Sequence, residues 1–346
     1  MSAASPDSST DKSSDKPTGT SSNAPEGNSS SGPSGNSSSS SSGSSNKVAS
    51  SSTVAKREIA AAVVGMGAVL DHVRAPEELA RPPVVEFRGV TKTFNAGRDN
   101  EFTAIRDVKF VVEDLPNKGE FVCVLGPSGC GKSTILRLIA GLEPQHPATT
   151  GEVLVLGKPV VAPGPDRGMV FQDYTSFDHR TVLENVTFGL ECRGVPRRQR
   201  DELGRQWIEK VGLKVEVDAD KYPHELSGGM RQREAIARTL ILKPRIILMD
   251  EPFGALDPLT RLNMQDLLIK LWREVEATVF FITHSIEEAV FLGDRVYLMS
   301  NSPGTILEEI VIEPPDRSAH EMQRQPRFLE TVYYIRDKIT KLEAKR

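Results

Sequence analysis

The chain has 346 residues, enough for one large or two ordinary domains, and carries a net charge of −4 at pH 7, which leaves no general attraction for nucleic acid phosphates. Its three cysteines, Cys123, Cys130 and Cys192, are odd in number and widely scattered. They exclude a disulfide framework or a zinc site and fit a reducing cytoplasm.

Residues 1 to about 53 are dominated by Ser, with Gly, Pro, Asn and Asp and almost no large apolar side chain. Such a stretch cannot bury enough surface to offset its ordering entropy, so a disordered tail is expected. It lacks a basic start followed by an apolar core and does not read as a secretory signal. Residues 54–83 read as a linker or marginal helix. The apolar patch from Ile59 to Leu70 within them falls short of the roughly 20 residues a bilayer span needs. No other stretch approaches a transmembrane span, so a membrane role would work through a partner protein.

From Val84 the chain alternates in strand fashion to Phe94, passes a loop rich in Gly and Asn, and resumes near Val108, which predicts an antiparallel layer. Phe94 is a candidate face for an adenine ring, where stacking contributes about 1 to 3 kcal/mol, or else a core residue of a half-buried strand. The apolar run Phe121 to Leu125 then leads into Gly126-Pro127-Ser128-Gly129-Cys130-Gly131-Lys132-Ser133-Thr134, followed by an apolar helix that Gly141 stops. This is the phosphate-loop pattern in its proper setting of strand, loop and helix. Its glycines let successive N–H groups and the positive end of the helix face one anion. Lys132 would reach the β- and γ-phosphates of a nucleoside triphosphate, and the Ser133 hydroxyl would offer an oxygen to Mg²⁺.

Short strands follow at Gly151 to Gly157 and Gly168 to Phe171, the second running into Gln172, whose amide could reach Mg²⁺ or a water in a neighbouring cleft. Thr181-x-x-Glu184 is a capping box, and the region to Leu242 has helical period, with Trp207, Ile208, Val211 and Leu213 on one buried face. An inserted helical block over about 173–243 is therefore expected. It ends in Leu226-Ser227-Gly228-Gly229, where Ser227 reads as an N-cap and the two glycines leave N–H groups bare, a second anion site. Lying at the far end of the insert, that site is not expected to close on the same phosphate within one chain.

The buried strand Ile246 to Met249 delivers Asp250 and Glu251 at its carboxyl end. Two acids there can be ordinary strand-end polarity. Beside a phosphate loop they read as a metal ligand, Asp250, and as the base that polarises the attacking water, Glu251. Asp257-Pro258 reads as N-cap and first-turn proline of a helix with Leu262, Leu267, Leu268, Leu271 and Val275 inward. His284 ends the strand from Val279, held at a junction by the capping residues Ser285 and Glu288. In residues 313–346, Phe328, Leu329, Val332, Ile335 and Ile339 form a helical stripe expected to dock on the core.

At this point the chain resembles the nucleotide-binding subunit of an ATP-binding cassette transporter. The resemblance covers roughly Val84 to Ser300 and follows the family's order: GPSGCGKST at 126–134, Gln172, LSGGMRQR at 226–233, IILMDE at 246–251, Ala255 to Asp257, and His284. It implies an α/β fold with a phosphate-loop NTPase core, a mostly parallel sheet flanked by helices, an N-terminal antiparallel β subdomain and the helical insert, over 84–312. It further implies two copies meeting head to tail around two ATP molecules, so that Ser227, Gly228 and Gly229 of one face the phosphate loop of the other. Phe94 would stack on adenine, Gln172 would serve Mg²⁺ and the transmembrane contact, Glu251 would be the catalytic base, Asp257 would communicate across the dimer, and His284 would touch the γ-phosphate. Hydrolysis would reopen the pair and drive a separate permease.

Finer resemblance points to importers of nitrate, sulfonate, taurine and related small solutes, through FQDYTSFDHRTVLENVTFGLE at 171–191 and LDPLTRLNMQDLLIKLW at 256–272. Too little chain follows Met299 for the β-barrel regulatory domain of sugar and polyamine importers. One departure is Phe177-Asp178-His179, where that group usually shows Phe-Pro-Trp or similar at the permease-facing surface. The expectation is an ATPase peripheral on the cytoplasmic face of the inner membrane, linked to a permease and indirectly to a solute-binding protein, with no nucleic acid partner. The competing readings are a non-transport cassette ATPase acting on nucleic acid or ribosomes and the motor of a separate-chain exporter. The first lacks its usual second cassette, coiled-coil insertion or zinc module here.

Overall fold

A computed structural model describes residues 81–116, 118–173 and 175–344. The Ser-rich stretch 1–53 and the apolar patch from Ile59 to Leu70 lie outside the described residues. Strands β1 (Val85–Phe94), β2 (Phe102–Val112), β4 (Thr150–Val155) and β5 (Lys158–Pro159) form one antiparallel sheet in the order β2-β1-β4-β5. In β1 the alternation Val85, Phe87 in and Glu86, Arg88 toward solvent gives the sheet one apolar face. That face stacks Phe87 on Phe110 at 4.5 Å between centroids and sets Phe110 against Tyr297 at 5.0 Å.

Tyr297 belongs to a second sheet of six strands, ordered β10-β9-β3-β8-β7-β6. Its members are β3 (Phe121–Leu125), β6 (Arg167–Val170), β7 (Ile246–Asp250), β8 (Thr278–Ile282), β9 (Arg295–Met299) and β10 (Ile306–Val311). All neighbours run parallel except β9 and β10. Strands β3, β7 and β8 are buried at every position, because helices or the other sheet cover both of their faces. Successive residues alternate between two cores. Val122, Val124, Leu248 and Phe280 join helix α1 (Lys132–Ala140) and the antiparallel sheet on one side. Phe121, Cys123, Met249 and Phe281 join the remaining helices on the other.

Between β6 and its parallel neighbour β7 the chain inserts α2 (Val182–Cys192), α3 (Arg197–Lys210), α4 (Val215–Asp218) and α5 (Gly228–Leu240). Thr181 and Glu184 form the reciprocal capping box at the start of α2, and Trp207, Ile208, Val211 and Leu213 are buried. Helix α6 (Pro258–Trp272) is capped by Asp257 and α7 (Ile286–Leu292) by Ser285. In α6, Leu268 and Leu271 are buried with Met264 and Gln265, whereas Leu262 and Leu267 are only half-buried. The chain ends in α8 (Ala319–Met322) and α9 (Pro326–Glu343), which packs on α7. Phe328, Val332 and Ile335 of α9 are buried, but Leu329 is 37% exposed. It sits about 100° round the helix from Phe328 and so misses the stripe at 328, 332 and 335. No helix among the described residues is long and apolar enough to cross a membrane.

Candidate functional site

Because β3, β8, β7 and β6 lie side by side in parallel, their carboxyl ends share one edge, where open α/β sheets bind ligands. The register sets Val124, Ile282 and Asp250 level with one another. The loop from Gly126, His284, the pair Asp250 and Glu251, and Gln172 therefore issue along the same edge in that order. Sequence separation is large, but sheet order makes them neighbours.

The loop after β3 leads directly into α1. Gly131 occupies the N-cap at φ +98°, a left-handed conformation, and a Cβ there would lie 2.4 Å from Ile105 Cγ2. Only glycine fits. No side chain caps the helix and its first turn holds no acid, so its N–H groups and positive dipole end are left to an external anion. Lys132 is buried, and its ammonium donates to the carbonyls of Gly126 at 2.9 Å and Pro127 at 3.1 Å. Those bonds fold the lysine over the loop and hold the cation beside the bare N–H groups.

Ser133 Oγ donates to Asp250 Oδ1 at 2.8 Å. Asp250 is buried, which pushes its carboxyl up, against the Ser133 hydroxyl and the Arg137 guanidinium 3.9 Å away. A hydroxyl and an acid side by side are the hard oxygen donors that Mg²⁺ takes, so the residues fit that ion. Glu251 follows at φ +45°, a conformation non-glycine residues rarely adopt, with its N–H bonded to Ile282 O at 3.0 Å. The turn separates the two acids: Asp250 stays with Ser133, while Glu251 faces the cleft, its Oε2 3.4 Å from His284 Nδ1.

The cleft of about 360 Å³ is lined by Phe94, Phe102, Ser128, Lys132, Arg137, Gln145 and Glu251 among others, and falls within the roughly 300 to 1,000 Å³ of small-molecule sites. Gly129, Gly131, Ser133 and Thr134 also line it. Four of the wall residues were not singled out in the sequence, among them the small Ala104 beside the three larger ones. Phe102 is the cross-strand partner of Phe94, a pairing visible only once the hairpin register is known. Arg137 stands four residues after Ser133 on α1 and so on the same helix face, a spacing that could have flagged it. Gln145 lies in the loop after α1 and has no local signature.

Other predicted residues stand outside the lining. Gln172 is exposed beyond the end of β6. Asp257 accepts from Thr260 N at 3.0 Å, and the Thr260 hydroxyl together with that N–H holds its carboxyl below the usual range. Ser227 accepts from Met230 N at 3.4 Å at the start of α5, and Gly229 faces Thr260 closely, so that a Cβ there would lie 3.2 Å from Thr260 Cγ2, a tight contact. Helix α5 also reaches back to the segment after Gln172, with Arg238 donating to Thr175 O at 2.9 Å and Thr175 Oγ1 at 2.8 Å.

A family model described as ABC transporter matches residues 112–254. The chain is similar to the uncharacterized ABC transporter ATP-binding protein MJ0412 of Methanocaldococcus jannaschii, at 49% identity over 68% of this chain and 86% of that protein. It is 43% identical to the nitrate import ATP-binding protein NrtD of Synechocystis sp., over 70% of this chain and 90% of that protein. The taurine import ATP-binding protein TauB of Escherichia coli is also 43% identical, over 68% and 91% respectively. Among solved structures, the dimeric post-hydrolysis state of the ATP-binding cassette MJ0796 bound to ADP and Pi matches with a TM-score of 0.56 at 33% identity. That match covers 67% of this chain and 100% of the other.

Proposed function

Since the chain belongs to the ABC transporter family of ATP-binding proteins, we propose that it hydrolyses ATP as a pair of copies and thereby energises import of a small solute through a separate permease. The solute class we assign is that of nitrate, sulfonate or taurine, on the strength of the importer relatives. The observation that carries the chemistry is the meeting of Lys132, Ser133 and Glu251 in one cleft at the carboxyl edge of the parallel sheet.

In this reading the nucleotide-binding domain spans 84–312, with the helical insert about 173–243, and the tail 313–346 docks against it. The loop from Gly126 to Thr134, through the backbone N–H groups of Gly129 and Gly131 to Thr134, and the Lys132 ammonium cradle the β- and γ-phosphates. Ser133 and Asp250, with Gln172, hold Mg²⁺, which neutralises phosphate charge when bound. Phe94 stacks on the adenine. Glu251 accepts the proton of a water whose oxygen attacks the γ-phosphorus as the bond to the β–γ bridging oxygen breaks. His284, beside Glu251, steadies the γ-phosphate.

Ser227, Gly228 and Gly229 of the second copy close over the phosphate, and Asp257 transmits the closure between copies. The uncapped helix N-terminus at Gly131 of one copy and the helix start at Gly228 of the other then meet one triphosphate from opposite sides. Hydrolysis weakens that closure and lets the permease change state. The permease meets the surface around Phe177, where Phe188 packs at 4.7 Å and Arg180 lies over the Phe188 ring at 4.9 Å. The protein works at the cytoplasmic face of the membrane, held there by its partner.

Glu251→Gln tests the assignment. Turnover should fall about 10² to 10⁴ fold while ATP still binds, because only the base is removed. Undiminished turnover would refute the role.

A further inference from the structure

The base end of the cleft holds a polar group that the reading above leaves without work. Gln145 lines the cleft together with Phe94 and Phe102. Its Oε1 is buried and has no hydrogen-bond partner among the described residues. A buried acceptor without a donor destabilises a fold, so such groups are retained where a ligand completes them.

The loop that carries Gln145 is fastened to β1 beside Phe94. Pro147 O accepts from Lys92 Nζ at 2.8 Å, and that ammonium lies 5.2 Å from the centroid of the Phe94 ring. Two residues further on, Thr149 Oγ1 accepts from Thr93 N at 2.8 Å and donates to Thr93 O at 3.2 Å. Thr149 N adds a bond to Thr91 O at 2.8 Å. The loop is also closed on itself by His146 N donating to Leu142 O at 2.9 Å. Gln145 is thus carried by a loop fastened to β1 at the residues flanking Phe94, the ring proposed to stack on the base.

A carboxamide presents an acceptor oxygen beside an N–H donor. Adenine presents the complement along one edge, an exocyclic amine next to a ring nitrogen, and glutamine pairs with that edge in two bonds. We infer that Gln145 reads the edge of the adenine base, making it a specificity-determining residue of this nucleotide site. Phe94 and Phe102 supply sequence-blind stacking, and Gln145 supplies the selectivity that stacking lacks. The inference rests on the ATP-binding reading of the cleft.

The test compares the full-length protein with Gln145→Leu and Gln145→Ala for binding of ATP, purine riboside triphosphate, dATP and inorganic tripolyphosphate. Purine riboside triphosphate keeps ring, sugar and phosphates and lacks only the exocyclic amine. The wild-type chain should favour ATP over it by about threefold to tenfold, one neutral hydrogen bond's worth. Both variants should lose that preference while binding tripolyphosphate as the wild type does, which shows the phosphate end intact. Variants that keep the preference would overturn the inference, as would variants that lose instead a preference for ATP over dATP, because Gln145 would then read the sugar. A wild-type chain that binds tripolyphosphate but does not favour ATP would also sink it and leave the phosphate site standing. Failure to bind any of the four would overturn the ATP-binding reading itself.

Discussion

Single residues in this chain are held in arrangements that have a cost in isolation, and these are where substitutions speak most clearly. Gly131 is the sharpest case: a methyl group would strike Ile105 and the backbone at φ +98° would resist it, so Gly131→Ala should weaken ATP binding at least tenfold, read by titration with nucleotide. Glu234 is another. It is fully buried on α5, neither carboxylate oxygen has a well-formed hydrogen bond among the described residues, and burial pushes its carboxyl from the ordinary 4.5 to about 7. The nearby Ser176 hydroxyl and the Arg238 and Arg231 guanidiniums offset this only in part. With the folded value above the unfolded one, the stability it contributes is full below about pH 4.5 and is lost as pH rises through about 7. Glu234→Gln should therefore melt close to the wild type at pH 4.5 and well above it at pH 8, by on the order of 3 kcal/mol in unfolding free energy. A constant gap across that range would contradict the buried-acid explanation. Sequence patterning showed Glu234 only as one polar letter in a helix; nothing local marks it as buried, since the elements that cover it are distant in the chain.

At the level of elements, the strands and the helix starts were legible because their causes are local. Continuous apolar runs such as Phe121 to Leu125 predict strands covered on both faces, and the side chains of Thr181, Ser227, Asp257 and Ser285 all accept the N–H bonds that capping predicts. What failed was the phase of the last helix at Leu329, and what went unseen was Gln145, placed by bonds from Lys92 and Thr149 that no periodicity encodes. The phosphate loop, by contrast, is contiguous, so its chemistry is readable from nine letters. Helix α5 shows how an element's beginning serves two ends. Its cap bond from Met230 N to Ser227 is long, at 3.4 Å, so Ser227→Ala should cost stability at the low end of about 0.5 to 2 kcal/mol. Turnover should suffer far more than stability, with single-copy ATP affinity nearly unchanged, if Ser227 serves the phosphate held by the second copy. Equal losses in melting and turnover would reduce Ser227 to a helix cap.

Across the whole molecule, the order of strands does what the order of residues cannot. Lys132, Asp250 and His284 are far apart in sequence, yet β3, β8 and β7 lie side by side, so the lysine, histidine and acids issue at one edge. Parallel crossovers enforce this, and the spacing of motifs alone does not reveal which strands are neighbours. The start of α5, presented by the helical insert, is not among the residues that line that cleft. The tips at Gly131 and Gly228 are thus separate features of one chain, and in the proposed pair each finds its counterpart in the other copy. The direct measurement is the mass in solution of Glu251→Gln saturated with ATP and magnesium, by sedimentation or light scattering. Twice the single-chain mass is expected, reverting to one chain when Lys132→Ala or Ser227→Ala is added. A Glu251→Gln protein that binds ATP fully and stays a single chain, with its permease present or absent, would contradict the head-to-tail pair on which the proposed mechanism depends.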